Sequence, residues 1–179
     1  MNNTNVLPGS PDGAESRLLS LGIALPEPPG ALGTYAMSTT SGSLMFLTGM
    51  LPIKDHAAVF RGRLGAEIDL EQGRMAARLA ALNALAVMRH ELGSLDRVAR
   101  ILRLGVFVAT ASAFREHPQV ADGASLVIRD VFGAESNPCR LVIGVANLPL
   151  DTPVELELIA ELSDTLARGH TRPATKELS

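Results

Sequence analysis

The run from Asp69 to Leu92 constrains the fold more than any other stretch of this chain. Asp69 and Gln72 have the spacing of a capping box, in which each side chain satisfies a backbone N–H that the first helical turn leaves free. Apolar residues then recur at helical spacing at Met75, Leu79, Leu82 and Ala86, with Leu85 and Val87 widening the stripe. Gly93 follows Leu92 as a stop, since a helix often ends on a residue in the left-handed region. A helix with one apolar stripe has to bury it, and its neighbours in sequence are strand-like. Upstream, Tyr35–Thr40 and Leu44–Thr48 flank Ser41-Gly42-Ser43, a hairpin signal. Downstream, after a turn at Ser94–Asp96, Val98–Ala109 reads as a buried strand with Leu102, Leu104, Val106 and Val108 on one face.

The second half repeats the pattern. Pro118–Phe132 reads as a helix, with Pro118 in its first turn and Gly133 closing it. Leu141–Val145 and Val154–Glu161 read as strands, the latter alternating Val154, Leu156, Leu158 and Ala160 with Glu155, Glu157, Ile159 and Glu161. Lys54–Ala66 reads as a polar loop with a short strand at Ala58–Arg61. The order is two strands, a helix, a strand, a helix and two strands. That predicts an α+β fold: a mixed sheet with both helices on one face. The other face would be left bare, and association through it is the simplest way to cover it. One domain is expected over 16–162, between tails at 1–15 and 163–179.

Composition narrows the function. The formal net charge is −3 and the basic residues are scattered, which argues against a nucleic-acid footprint and a polybasic membrane patch. Cys139 is the only cysteine, so no intrachain disulfide and no zinc site built on several thiolates is possible. No apolar run reaches the length of a membrane span, and Met1–Ser16 has neither the basic start nor the apolar stretch of a signal peptide. A cytoplasmic protein is expected.

Short motifs along the chain, taken together, resemble one family. Gly33-Thr-Tyr35 is similar to its Gly-Pro-Tyr, and Leu44-Met-Phe-Leu-Thr-Gly-Met-Leu-Pro-Ile53 to its strand ending in Ser-Gly-Gln-X-Pro. Asp69–Gln72 through Leu82–Leu85 resembles its central helix, and Leu95-Asp-Arg-Val98 its Leu-Asp-Asp-Val. Pro138-Cys-Arg140 resembles its Pro-Ala-Arg, and Val154-Glu-Leu-Glu-Leu-Ile-Ala160 its Val-Glu-Ile-Glu-Ala-Ile-Ala. Each motif alone is weak, but six in order over Gly30 to Glu161 are hard to obtain by chance. The family is Rid, the YjgF-like reactive-intermediate deaminases. The resemblance implies a chorismate-mutase-like fold and a homotrimer with pockets between subunits. It also implies hydrolysis of 2-imino acids to 2-keto acids and ammonia, without metal or organic cofactor; the expected ligand is a small imino or keto acid.

The candidate site residues follow. Arg140 opens an apolar strand, where an unpaired charge is unusual, and a guanidinium can hold a substrate carboxylate through two parallel hydrogen bonds. A bare strand-end arginine would look the same. Glu155 matches the family's water-holding glutamate, a role that suits a carboxylate able to accept a proton. Its alternation with apolar residues is equally that of a half-exposed strand, and Glu157 is the plainer surface residue. Tyr35 offers a hydroxyl to a substrate across a subunit boundary, or packs at the hairpin start. Thr48 and Gly49 match the family's Ser-Gly, where glycine would let a backbone N–H approach a ligand, or mark a strand end. Cys139 reads as a small hydrophobe rather than a nucleophile, and the four histidines are dispersed. Three departures stand out: Thr34 for the family's Pro, Met50 for its Gln, and Leu141 for a Ser or Thr after the arginine. The last two predict a more apolar pocket and larger or more hydrophobic imino acids.

Overall fold

The computed structural model describes residues 13–163. Its strands are β1 (Ser38–Ser41), β2 (Leu44–Met50), β3 (Ile53–Lys54), β4 (Ala57–Ala58), β5 (Val98–Ala109), β6 (Cys139–Val145) and β7 (Val154–Leu162). Its α-helices are α1 (Ala14–Ser20), α2 (Leu70–Leu92) and α3 (His117–Phe132). The main sheet runs β1-β2-β7-β5-β6. β7 lies antiparallel to both β2 and β5, while β5 and β6 are parallel. Two crossovers result, β2-α2-β5 and β5-α3-β6, stepping the same way across the sheet. A common hand for such connections places both helices on one face. Among the described residues, no helix is long and apolar enough to cross a membrane.

The capping box forms: the Gln72 N–H donates to Asp69 Oδ1 at 2.8 Å, and the Asp69 N–H to Gln72 Oε1 at 3.1 Å. Gly93 ends α2 at φ 79°, where a Cβ would be strained. Leu82, Leu85, Ala86 and Val87 are buried as the expected stripe requires, but its first turns differ. Met75 is exposed, while Gly73, Ala76, Ala77, Ala80, Ala81 and Ala84 are buried. The cause is the approach of α3: a Cβ on Gly123 would overlap the Arg74 carbonyl oxygen. Backbones that close need small residues between them, so glycine and alanines fill the α2–α3 contact, while Leu82, Leu85, Val87 and Met88 are buried further along the helix.

β5 holds a second difference. Its register with β7 shifts between Ile101 and Arg103, so Ile101 joins Leu104, Val106 and Val108 in the core and Leu102 is only half-buried. Downstream of β2 the short strand lies at Ala57–Ala58, paired with Ile53–Lys54, rather than at 58–61. Asp55 and His56 turn this ribbon with φ of 51° and 63°, the conformation of a tight hairpin turn. β1 begins at Ser38, leaving Tyr35 in the preceding loop. β6 begins at Cys139, earlier than the sequence pattern indicates, and Cys139 is exposed rather than packed.

Helix α1 has no counterpart in the sequence reading, and the boundary placed at residue 15 falls inside it. Glu15 fixes it. The Glu15 N–H donates to Asp96 Oδ1, and the Leu95 N–H donates to Glu15 Oε1 at 2.9 Å. Arg89 lies 3.7 Å from the same carboxylate. The remainder of both expected tails lies outside the described residues.

Candidate active site

β7 divides the molecule. Val154, Leu156, Leu158 and Ala160 are fully buried under the helices, and the alternate residues Glu155, Glu157, Ile159 and Glu161 occupy the open face. Cross-strand pairs extend that face: Phe46 lies opposite Ile159, and Glu155 opposite Phe107. Arg103 pairs with Glu157 at 3.2 Å and Arg100 with Glu161 at 2.6 Å.

Glu155 is half-buried at one end of this face. Leu47 pairs with Leu158 and Met50 with Leu156, so Thr48 and Gly49 together oppose one β7 residue. This bulge bends β2 and brings its backbone against the Glu155 side chain. A Cβ on Gly49 would overlap the carboxylate, so only glycine leaves room for it here. Partial burial raises the Glu155 carboxyl above its ordinary value, since the charged form is the one desolvation penalises. Tyr35, Met37, Gly49 and Met50 line a narrow crevice beside it. The Tyr35 hydroxyl accepts from the Leu32 N–H at 3.0 Å. Thr48 contributes its backbone N–H to Met37 O at 3.0 Å, which holds the bulge to the chain leading into β1.

Arg140 lies elsewhere. In β6 it pairs in register with Leu104, a core residue of β5, and so points to the helix side of the sheet. Its Nη1 donates to Asp122 Oδ1 at 2.6 Å and Ser125 Oγ at 3.0 Å, both on α3. Among the described residues, Nε and Nη2 carry no such bond. The guanidinium is thus held through Nη1, and Arg140 lines a groove of about 390 Å³ together with Asp122 and Ser125. Arg140 and Glu155 therefore occupy opposite faces of the same sheet within one chain. Gly49 meets Glu155 and shares a crevice with Tyr35, and Thr48 stands next to it in the bulge; Arg140 does not join them.

A model of the family described as "YjgF/chorismate_mutase-like, putative endoribonuclease" matches residues 15–162. The chain belongs to this YjgF-like family. Protein TCP17 of Trypanosoma cruzi is 38% identical over 150 residues, covering 83% of this chain and 94% of that protein. Two solved structures are each 34% identical over 84% of this chain. Atu1372 of Agrobacterium tumefaciens, of unknown function, matches over 92% of its length with a TM-score of 0.77. A protein of Shewanella oneidensis described as a "putative endoribonuclease" matches over 99% of its length with a TM-score of 0.80. TdcF of Escherichia coli, solved with bound serine, is more distant: 25% identity over 76% of this chain and 94% of that one, with a TM-score of 0.57.

Within this YjgF-like fold, the residues expected to make the pocket apolar do not border Arg140. Leu141 pairs with Gly105 and takes the open face, and Met50 is buried in the core. The groove that Arg140 lines holds Ser125, Asn137, Arg74 and Arg129 instead, with Leu126 and Pro138 as its apolar part. A hydroxyl beside the arginine is supplied by a helix rather than by the next residue of the strand. Three supporting residues escape the sequence. Asp122 and Ser125 are spaced to share one face of α3, but nothing in the sequence pairs that face with β6. Asn83 is buried among apolar neighbours, and its amide donates to Leu51 O at 2.8 Å and Ile53 O at 2.9 Å. It thereby fixes the segment leaving the Gly49 bulge. A lone Asn inside an apolar helical run was the available signal.

Proposed function

We propose that this YjgF-like chain hydrolyses 2-imino acids to 2-keto acids and ammonia, in pockets built between the subunits of a homotrimer. The observation that carries the reading is the Arg140 guanidinium, buttressed on one edge by Asp122 and Ser125 and free on the other. A free Nε/Nη2 edge matches the two oxygens of a 2-imino acid's carboxylate and fixes the plane of the adjacent C=N bond. Since Glu155 lies on the opposite face of its own chain, the carboxylate that meets Arg140 comes from a neighbouring subunit, with Tyr35, Thr48 and Gly49 beside it. Glu155, with its raised pKa, takes a proton from water as the oxygen attacks the imine carbon. Glu155 passes that proton to the nitrogen, giving a tetrahedral carbinolamine; the carbinol O–H proton then follows by way of the same carboxylate, the C–N bond breaks, a C=O bond forms and ammonia leaves.

The open face supports the trimer: Phe46, Ile159, Leu141 and Ile143 lie there with no covering layer among the described residues. A second reading, a trimer that holds a small carboxylate without turning it over, is favoured by the separation of Arg140 from Glu155. A relative solved with serine suits either reading. Freshly generated imino acids, with semicarbazide trapping of what survives, decide between them. Consumption above background that falls to background in Arg140→Ala, and by about 100-fold or more in Glu155→Gln, is the expected result. A folded protein that binds keto acids yet accelerates no imine would leave the binding reading.

A further inference from the structure

The groove that Arg140 lines is more basic than one carboxylate requires. Arg74 and Arg129 line it as well, with Ser125 and Asn137 as neutral hydrogen-bonding groups. Among the described residues Asp122 is the only carboxylate in its wall, and that group is engaged by Arg140 at 2.6 Å. The other two arginines have nearby acids of their own, placed toward the adjoining groove. Glu71 stands 4.0 Å from Arg74, the outer limit of an ion pair, and Asp130 pairs with Arg129 at 2.9 Å. Both pairs are exposed, so water screens them and a bound anion competes with them at little cost.

Helix geometry assembles the cluster. Asp122, Ser125 and Arg129 repeat at three- and four-residue spacing along α3, which gives them one face. Arg74 arrives from α2 because Gly123 lets the two helices touch. The volume, about 390 Å³, lies within the ordinary range for small-molecule clefts of roughly 300–1,000 Å³. Leu126 and Pro138 give the groove an apolar part, and its walls carry three guanidiniums, so a ligand with an apolar stem and a second anionic end matches it better than a purely hydrophobic side chain.

On the reading of Arg140 as the carboxylate clamp, we propose that the ligand is a dicarboxylic 2-imino or 2-keto acid whose second carboxylate is held by Arg74 and Arg129. The guanidinium fork fits a planar carboxylate at that end as it does at Arg140. Substrate choice is then set by the helix face, and the larger aliphatic imino acids indicated by Leu141 and Met50 are poorer ligands.

Titration calorimetry of the full chain with 2-oxoglutarate and with 2-oxopentanoate, which lacks the second carboxylate, tests this. The expected result is about tenfold or greater preference for the diacid. In the double variant Arg74→Gln/Arg129→Gln the ratio of the two affinities collapses toward one, and in Arg140→Ala both ligands weaken. A wild-type ratio near one overturns the proposal, as does a preference that persists in the double variant. If 2-oxopentanoate binds and imines are consumed under either of those outcomes, only the diacid inference falls. If neither keto acid binds and no imine is consumed, the Arg140 clamp falls and takes the inference with it.

Discussion

At the scale of single residues, Glu155 carries the sharpest pH signature. The folded chain holds its proton more tightly than the unfolded chain does, because burial disfavours the carboxylate. Stability therefore declines as pH rises from the ordinary glutamate value through the raised one. Glu155→Gln keeps the shape and removes the ionisation. It is expected to raise Tm slightly at pH 8 and to match the native chain well below about pH 4, where both are neutral. Thermal melts across pH show this. The rate behaves oppositely: a base must be ionised, so kcat/KM climbs with pH over the same window and the climb is absent in Glu155→Gln. Gly49 gives a companion prediction. An added methyl there meets only the mobile end of Glu155, which swings away. Gly49→Ala should leave Tm almost unchanged and lower kcat by about tenfold or more; equal loss of both would mean that the bulge itself had collapsed.

At the scale of elements, the chain states its helices and strands more clearly than their rotations. The capping box at Asp69 and Gln72, the stop at Gly93 and the alternation along Val154–Leu162 are local chemistry, and each is found as read. The exposure of Met75 at the start of α2 and the facing of Leu102 are not local. One is set by the approach of α3 at Gly123, the other by a shift of register against β7, and neither leaves a mark in its own segment. The same limit applies to the site. Arg140 is legible from the motif around it, yet the side of the sheet it points to, and with it the character of its groove, depends on pairing with Leu104. Gly123→Ala tests the contact that governs both. The methyl would strike the Arg74 backbone rather than a movable side chain, forcing α2 and α3 apart. A destabilisation of about 1–3 kcal/mol in denaturant titrations is expected, together with weakened keto-acid binding as Arg74 is displaced.

At the scale of the whole molecule, one helical layer covers one face of the sheet. The exposed face mixes apolar residues with the intrachain ion pairs Arg103–Glu157 and Arg100–Glu161, a surface suited to the interface of the proposed trimer. Sedimentation should return three times the 18.9 kDa chain mass. Ile159→Lys places a charge at the centre of that face, on a side chain only half-buried within the chain, and is expected to yield a folded monomer without imine turnover. A monomeric native protein with full turnover would remove the intersubunit pocket. The order of the strands has a further consequence, for how the chain is made. β7, the middle of the sheet, follows all its neighbours in sequence. While the chain is being synthesised, β2 and β5 wait with their inner edges unpaired, and the helices have half a floor to rest on. Neither crossover can close its layer until Val154–Leu162 has emerged and slid between them. Folding of this protein is therefore committed late and by insertion, and a chain interrupted before that strand presents two open edges to its neighbours instead of one sheet.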